Sequence, residues 1–221
     1  SGNNVTNSTI GHGVKVNGSA KTPAWILTKN RDDTTVSSVN QSWRVWHKDL
    51  TDTYVLFLDR VLYQLDPTAH SNGYIHDVTS TTYKTTHANV DSNAVNGASD
   101  KMLAYCFAEV EGYSKFGVYE GNGSADGTFV YTGFRPAWVL IKHIDTSMNY
   151  SIVDSVRDNI NDSTNDVLFP DGNFAENTSN KYLDFVSNGI KFRGTSAGVN
   201  ASATYVYAAF AEQPFKYANA K

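Results

Sequence analysis

Apolar runs of a few residues alternate with clusters of Asn, Gly, Asp, Ser and Thr along the whole chain; AWVLIK, YSIVD, YLDFVSNG, IKFRG and TYVYAAFAE are examples. Runs of about 4–8 apolar residues bounded by turn formers predict short antiparallel strands in a sandwich or barrel. No helical periodicity is sustained over about 12 residues. The segment LDRVLYQLD (58–66) is the best exception and predicts a helical turn. Pro23 and Pro136 stand at strand starts, where the missing N–H removes no ladder bond. Small residues alternate with large ones at Ala104, Cys106 and Ala108, and again at Ala209 and Ala211. Small side chains along one face predict that a second layer approaches closely there.

The pattern repeats. Residues 23–29 read PAWILTK and residues 136–142 read PAWVLIK. Each is followed by a polar turn and a strand-like run, SWRVWHKDL in the first copy and NYSIVDSVRD in the second. Tyr150 and Ile152 then stand in the positions of Trp43 and Val45, and TYVLFLD (53–59) matches NDVLFPD (165–171). LAYCFAE (103–109) matches VYAAFAE (206–212), pairing Phe107 with Phe210 and Glu109 with Glu212. Gly13 and Gly133 both precede the PAW strand. Matches in the same order predict two tandem antiparallel β-sandwich modules related by internal duplication. They should span 1–119 and 120–221, abut without a flexible linker, and bury Trp25 and Trp138 at equivalent positions. The first copy carries extra length near 60–95. Its alignment is open, because both copies contain SNG (71–73 and 187–189) and both contain a large residue followed by Lys (Tyr83-Lys84 and Ile190-Lys191).

Composition narrows the classes. Hydrophobic residues make up 40% and aromatics 13%, with 13 Tyr and 11 Phe, so the chain can bury a core of strand-forming residues. The net charge of −4 and the lack of a basic stretch argue against nucleic-acid binding. No apolar run approaches the roughly 18–20 residues that span a membrane, which argues against insertion. The chain opens on Ser1, so its targeting is not legible from that end. A single cysteine excludes an internal disulfide, and Cys106 lies in the apolar run MLAYCFAEV, where an inert thiol is expected.

Candidate chemistry is thin. Glu109 and Glu111 share a strand face, but only Glu109 has a counterpart in the other copy, so strand-end solvation accounts for them better than a glycosidase pair. DSVRDNINDSTND (154–166) and Asp32-Asp33 concentrate oxygen ligands without calcium-loop spacing, and polar turns explain them. The six histidines show no paired metal spacing, and no nucleophile elbow or phosphate loop is present. The chain is therefore expected to be non-enzymatic, with no cofactor and no metal. Trp43 and Trp46 fall on opposite faces of one strand, so one of them points away from the core and is a platform for a sugar ring. The extra stretch sets aromatics and histidines among Asp, Asn and Thr, a mixture suited to sugar or protein surfaces. Arg44, Trp46, Tyr63, Tyr74, His76 and Tyr83 are the candidate binding residues; the alternative is that this stretch packs against a neighbour or caps the sandwich.

The runs GNGSADGTFVYTGFRPAWVLIK, SWRVWHKDL, AYCFAEVEGYSKFG and TYVYAAFAEQPFKYANA resemble a repeated β-sandwich module of bacteriophage tail-fibre and other virion-surface proteins, many of them marine. The resemblance covers nearly the whole chain, implies sandwiches that are jelly-roll-like in outline, and brings no catalytic residues with it. It implies a virion-surface structural or adhesive protein: a tail-fibre or receptor-binding module, or a capsid decoration. Its partners would be other virion proteins, copies of itself around a threefold axis, and a host surface glycan or protein. A carbohydrate-binding module of a secreted bacterial protein is the alternative.

Overall fold

The computed structural model describes residues 7–32, 42–51, 53–66, 73–86, 93–97, 99–157 and 163–213. The chain is all-β, and every strand pair among the described residues is antiparallel. It forms two compact units, Ser1–Arg60 with Gln64–Ala108, and Val61–Tyr63 with Glu109–Lys221.

The first unit contains β1 (Ser8–Gly11), β2 (Lys15–Val16), β3 (Ser19–Ala20), β4 (Trp25–Asn30), β5 (Arg44–His47), β6 (Leu56–Phe57), β7 (Tyr74–His76), β8 (Thr82–Thr86), the one-turn helix α1 (Asn93–Asn96) and β9 (Met102–Phe107). A four-stranded sheet in the order β6-β5-β4-β9 faces a three-stranded sheet in the order β1-β8-β7. Ile26, Ile75 and Tyr83 form the buried cluster between them, and Ile10, Trp46, Val78 and Cys106 pack against it. Each large aliphatic side chain buried in this way contributes about 1.5–3 kcal/mol. The β2–β3 hairpin turns through Asn17-Gly18, both at positive φ (51° and 81°), the backbone that a tight hairpin turn demands.

The second unit contains β10 (Ser114–Glu120), β11 (Phe129–Tyr131), β12 (Pro136–His143), β13 (Ser151–Asp154), β14 (Asn165–Leu168), β15 (Asn177–Asn180), β16 (Leu183–Val186), β17 (Gly189–Phe192) and β18 (Thr204–Ala211). A six-stranded sheet, β10-β18-β12-β13-β14-β15, faces a three-stranded sheet, β11-β17-β16. The core between them joins Val139, Ile141, Val153 and Val167 to Val130, Phe185, Ile190 and Phe192.

The two units share a ladder. In the first, Trp25 pairs with Phe107 on one side and His47 on the other. In the second, Trp138 pairs with Phe210 and Asp154. Val45 pairs with Leu56 as Ile152 pairs with Leu168. Lys48 N donates to Ala24 O as Ser155 N donates to Ala137 O, and Arg31 N to Lys101 O as Ile144 N to Thr204 O. The small sheets also correspond: Ile10 pairs with Tyr83 as Val130 pairs with Ile190. These registers choose between the two open alignments. Tyr83-Lys84 is the counterpart of Ile190-Lys191, and the two SNG triplets are not equivalent. Gly13 and Gly133 both take positive φ (66° and 84°) just after the first strand of the small sheet, a conformation that a Cβ would strain.

Several expectations change. Residues 74–76 and 82–86 of the longer stretch form strands with counterparts in the second unit, so the stretch is not one continuous insertion. The strand Ser114–Glu120, assigned to a module ending at 119, is hydrogen-bonded along its length to β18 of the second unit. Residues 58–66 form no helical turn; Val55 and Leu65 instead exchange backbone hydrogen bonds of 3.0 and 2.9 Å. The β-bridge wins because Leu65 pairs back onto the strand that a helix would have to leave. Trp25 is buried at 3% exposure, whereas Trp138 is only half-buried and Phe107 is 36% exposed. Register makes these positions equivalent, but what covers them differs.

Candidate functional site

Strand parity places the side chains of β5 on two faces. Arg44 and Trp46 point toward the small sheet; Trp43, just before the strand, and Val45 point away from it. Trp46 therefore packs on the inner cluster, and the tryptophan of the opposite face is Trp43. Its ring stacks on Tyr105 of β9 with centroids 6.0 Å apart and planes at 21°. The Lys29 ammonium lies 5.7 Å from the centre of the Trp43 ring. Tyr105 is 49% exposed, and Trp43 and Lys29 are half-buried, so the stacked pair meets solvent chiefly through Tyr105. Stacked rings beside an ammonium offer the chemistry that a sugar face, an aromatic ring or an anionic group would need.

The second unit repeats the ring and the ammonium, with Ala208 in the place of Tyr105, and buries them. Tyr150, the counterpart of Trp43, is fully buried, and the Lys142 ammonium lies 4.8 Å from its ring centre. Trp43 N donates to Asp59 at 3.2 Å as Tyr150 N donates to Asp171 at 3.0 Å, so one carboxylate fixes the aromatic residue in each unit. Lys142 also donates to Met148 O. Burial pushes the Lys142 ammonium down to about 8, with Asp171 opposing the shift. An ammonium with a depressed folded pKa disfavours the native state while it is charged there. Unfolding stability should therefore rise with pH between about 8 and the ordinary lysine value of 10.5. Above about 10 the buried tyrosines oppose this, because burial raises Tyr119 and Tyr205. Urea melts of the parent and Lys142→Met at pH 7, 8, 9 and 10 test the assignment. The rise should disappear in the variant, whose stability at pH 7 should equal or exceed the parent's.

The other sequence candidates scatter. Arg44 is fully buried; its Nε donates to Gly73 O at 2.8 Å and its guanidinium sits 5.3 Å from the Phe57 ring centre. Tyr83 is 2% exposed and belongs to the core. Both were expected at a binding surface; strand parity and the facing sheet put them inside. Tyr74 and His76 lie together on the far face of the small sheet, rings 5.4 Å apart, with His76 Nε2 2.5 Å from Thr86 Oγ1. Tyr63 is 43% exposed and falls in the second unit. His70 and His87 lie outside the described residues.

Elsewhere, polar side chains are engaged by their own surroundings. Asp154 accepts from the backbone of Val156 and Arg157 and pairs with the Arg157 guanidinium at 2.6 Å, as a capped polar turn does; part of the 154–166 loop lies outside the described residues. Glu109 pairs with Lys115 at 3.3 Å and its counterpart Glu212 with Arg135 at 3.2 Å. Burial raises the Cys106 thiol, which lowers its reactivity. Among the described residues no group of three or more His, Cys, Asp or Glu could hold a metal ion, and no helix is long and apolar enough to cross a membrane.

The sequence reading missed Tyr105. Its open position depends on which face of β9 the small sheet covers, and alternation alone leaves that undecided. A sequence profile described as "Domain of unknown function (DUF7483)" matches residues 1–214, across both units. No curated protein and no solved structure matches the chain.

Proposed function

The chain belongs to the DUF7483 family, a domain of unknown function, and on that premise we propose that it is a non-enzymatic adhesive protein of a bacteriophage surface: a tail-fibre or receptor-binding module, or a capsid decoration. The observation that carries the adhesive part is the stacked pair Trp43–Tyr105 with Lys29 beside it. The virion part rests on the resemblance of the four sequence runs given above. The two units with matching ladders fit an internally duplicated scaffold, in which the first copy leaves partly exposed the aromatic–lysine contact that the second copy buries. On this reading the ligand is a host surface glycan or protein, and the chain works as a homo-oligomer, a trimer, among other virion proteins. Light scattering that finds a monomer at high concentration counts against the oligomer.

Tyr105→Ala and Lys29→Ala test the site. Both side chains leave the strand on the face opposite the small sheet, so unfolding stability should change by no more than about 1 kcal/mol. Binding to host cells, or to a responsive glycan on an array, should fall at least about tenfold in each. Unchanged binding in both variants removes the aromatic pair from the function. The same pair also favours a second reading, a carbohydrate-binding module of a secreted bacterial protein. Tail or capsid modules in the surrounding reading frame would decide for the virion.

A further inference from the structure

The two units differ at one sheet edge. In the second, β18 is flanked by β12 and by β10; in the first, β9 is flanked by β4 and, among the described residues, ends the sheet. Ala104, Tyr105 and Phe107 of this edge are exposed. What β10 does in the second unit is specific. Gly117 pairs with Tyr207, and Tyr119 pairs with Tyr205. The Tyr119 ring enters the core, stacked at 4.6 Å on Phe192 and at 5.0 Å on Tyr205.

The registers with β4 and β12 identify the counterparts in the first unit. Thr28 pairs with Ala104 as Ile141 pairs with Tyr207, and Asn30 pairs with Met102 as His143 pairs with Tyr205. Thr85 likewise stands where Phe192 stands. Three aromatic rings of the second core are thus Ala, Met and Thr in the first, and no strand among the described residues supplies the fourth ring. A cavity of about 280 Å³ is found there, lined by Ile10, Thr28, Tyr83, Met102, Leu103 and Ala104 among others. Thr28 is 3% exposed, and its Oγ1, on the cavity wall, has no hydrogen-bond partner among the described residues. The volume falls just below the roughly 300–1,000 Å³ usual for small-molecule pockets, and one aromatic side chain suits it better than a drug-sized ligand.

We infer that the edge of β9 and the cavity behind it are one receptor for an antiparallel strand of the β10 type, donated by another polypeptide carrying a module of this kind. The strand extends the sheet beyond β9. Its small residue lies opposite Ala104, and its tyrosine, two positions on, lies opposite Met102 and enters the cavity, with its hydroxyl in reach of a polar wall. Main-chain hydrogen bonds supply affinity and the side-chain pocket supplies specificity, as in other strand-addition complexes. An edge of this kind pairs with other chains unless it is occupied or blunted. Chains joined through it would form a linear or closed series of modules, an inference independent of the aromatic surface proposed as the adhesive site.

The test uses the whole chain and a synthetic peptide with the sequence 111–121, EGYSKFGVYEG, alongside the same peptide with Tyr119→Ala. Amide hydrogen exchange across Met102–Phe107 should slow at least about tenfold at saturating native peptide. The Tyr119→Ala peptide should lose most of that protection, and Ala104→Trp in the chain, which fills the cavity, should block it. Unchanged exchange in β9 overturns the inference. So does equal protection by the two peptides, or protection confined to Thr204–Ala211, which would mean exchange with the resident β10.

Discussion

Tyr119→Ala is expected to cost the second unit about 3–5 kcal/mol, the range for deleting a buried aromatic ring. Tyr119 is 7% exposed and sits where three elements meet. Its ring stacks on Phe192 of the small sheet and on Tyr205 of the large one, with Tyr207 at 6.2 Å. Its hydroxyl donates to Val199 O at 2.5 Å. Burial raises the phenol well above its ordinary value, so the ring stays neutral and remains a donor. Truncation removes the ring and strips a buried carbonyl of its donor at once. Tyr119→Phe separates the two effects and should cost about 1 kcal/mol, the net worth of one buried hydrogen bond. Urea melts followed by near-ultraviolet circular dichroism check both. A loss under about 1.5 kcal/mol for the alanine variant would mean that the surrounding rings collapse into the space, and that the stack does not hold the two sheets together.

Arg44→Ala should be comparably severe in the first unit, at about 3–5 kcal/mol. The side chain is fully buried, between the Phe57 ring and the backbone carbonyl of Gly73. Desolvation lowers its pKa to about 10, with Asp59 opposing, so it remains charged at neutral pH. The guanidinium thereby ties β5 of the large sheet to the start of β7 in the small one. Its counterpart by register, Ser151, cannot span that gap, so the tie belongs to the first unit alone. Alanine leaves both a void and an unpaired carbonyl. Arg44→Met restores volume without charge, and buried ions are often replaced by apolar residues at little cost, so methionine should recover more than half of the loss. Tryptophan fluorescence is a suitable reporter, because Trp25, Trp43 and Trp46 all lie in the first unit. If methionine proves as damaging as alanine, the hydrogen bond to Gly73 dominates over packing.

Alternation and repetition in the sequence determined the strands, the antiparallel all-β class and the ladder that both units share. PAWILTK and PAWVLIK became central strands because a run of apolar and β-branched residues fits only a strand with neighbours on both sides. The pairing of Phe107 with Phe210, and of Trp43 with Tyr150, followed from counting along strands of period two. That period fixes which residues share a face; it does not say which face is inside. Only the tertiary structure decided that, through the position of the small sheet. It turned Arg44, Trp46 and Tyr83 inward and left Trp43 and Tyr105 on the other side. It also drew β10 onto β18 and showed residues 74–86 to be part of the common scaffold, since strand partnership is a long-range choice that local sequence does not encode. The cavity beside β9 was the least legible feature. Met102 and Ala104 line it where the second unit has Tyr205 and Tyr207, together with Ile10, Thr28 and Tyr83. Those positions lie far apart in the chain and meet only when two sheets are packed face to face.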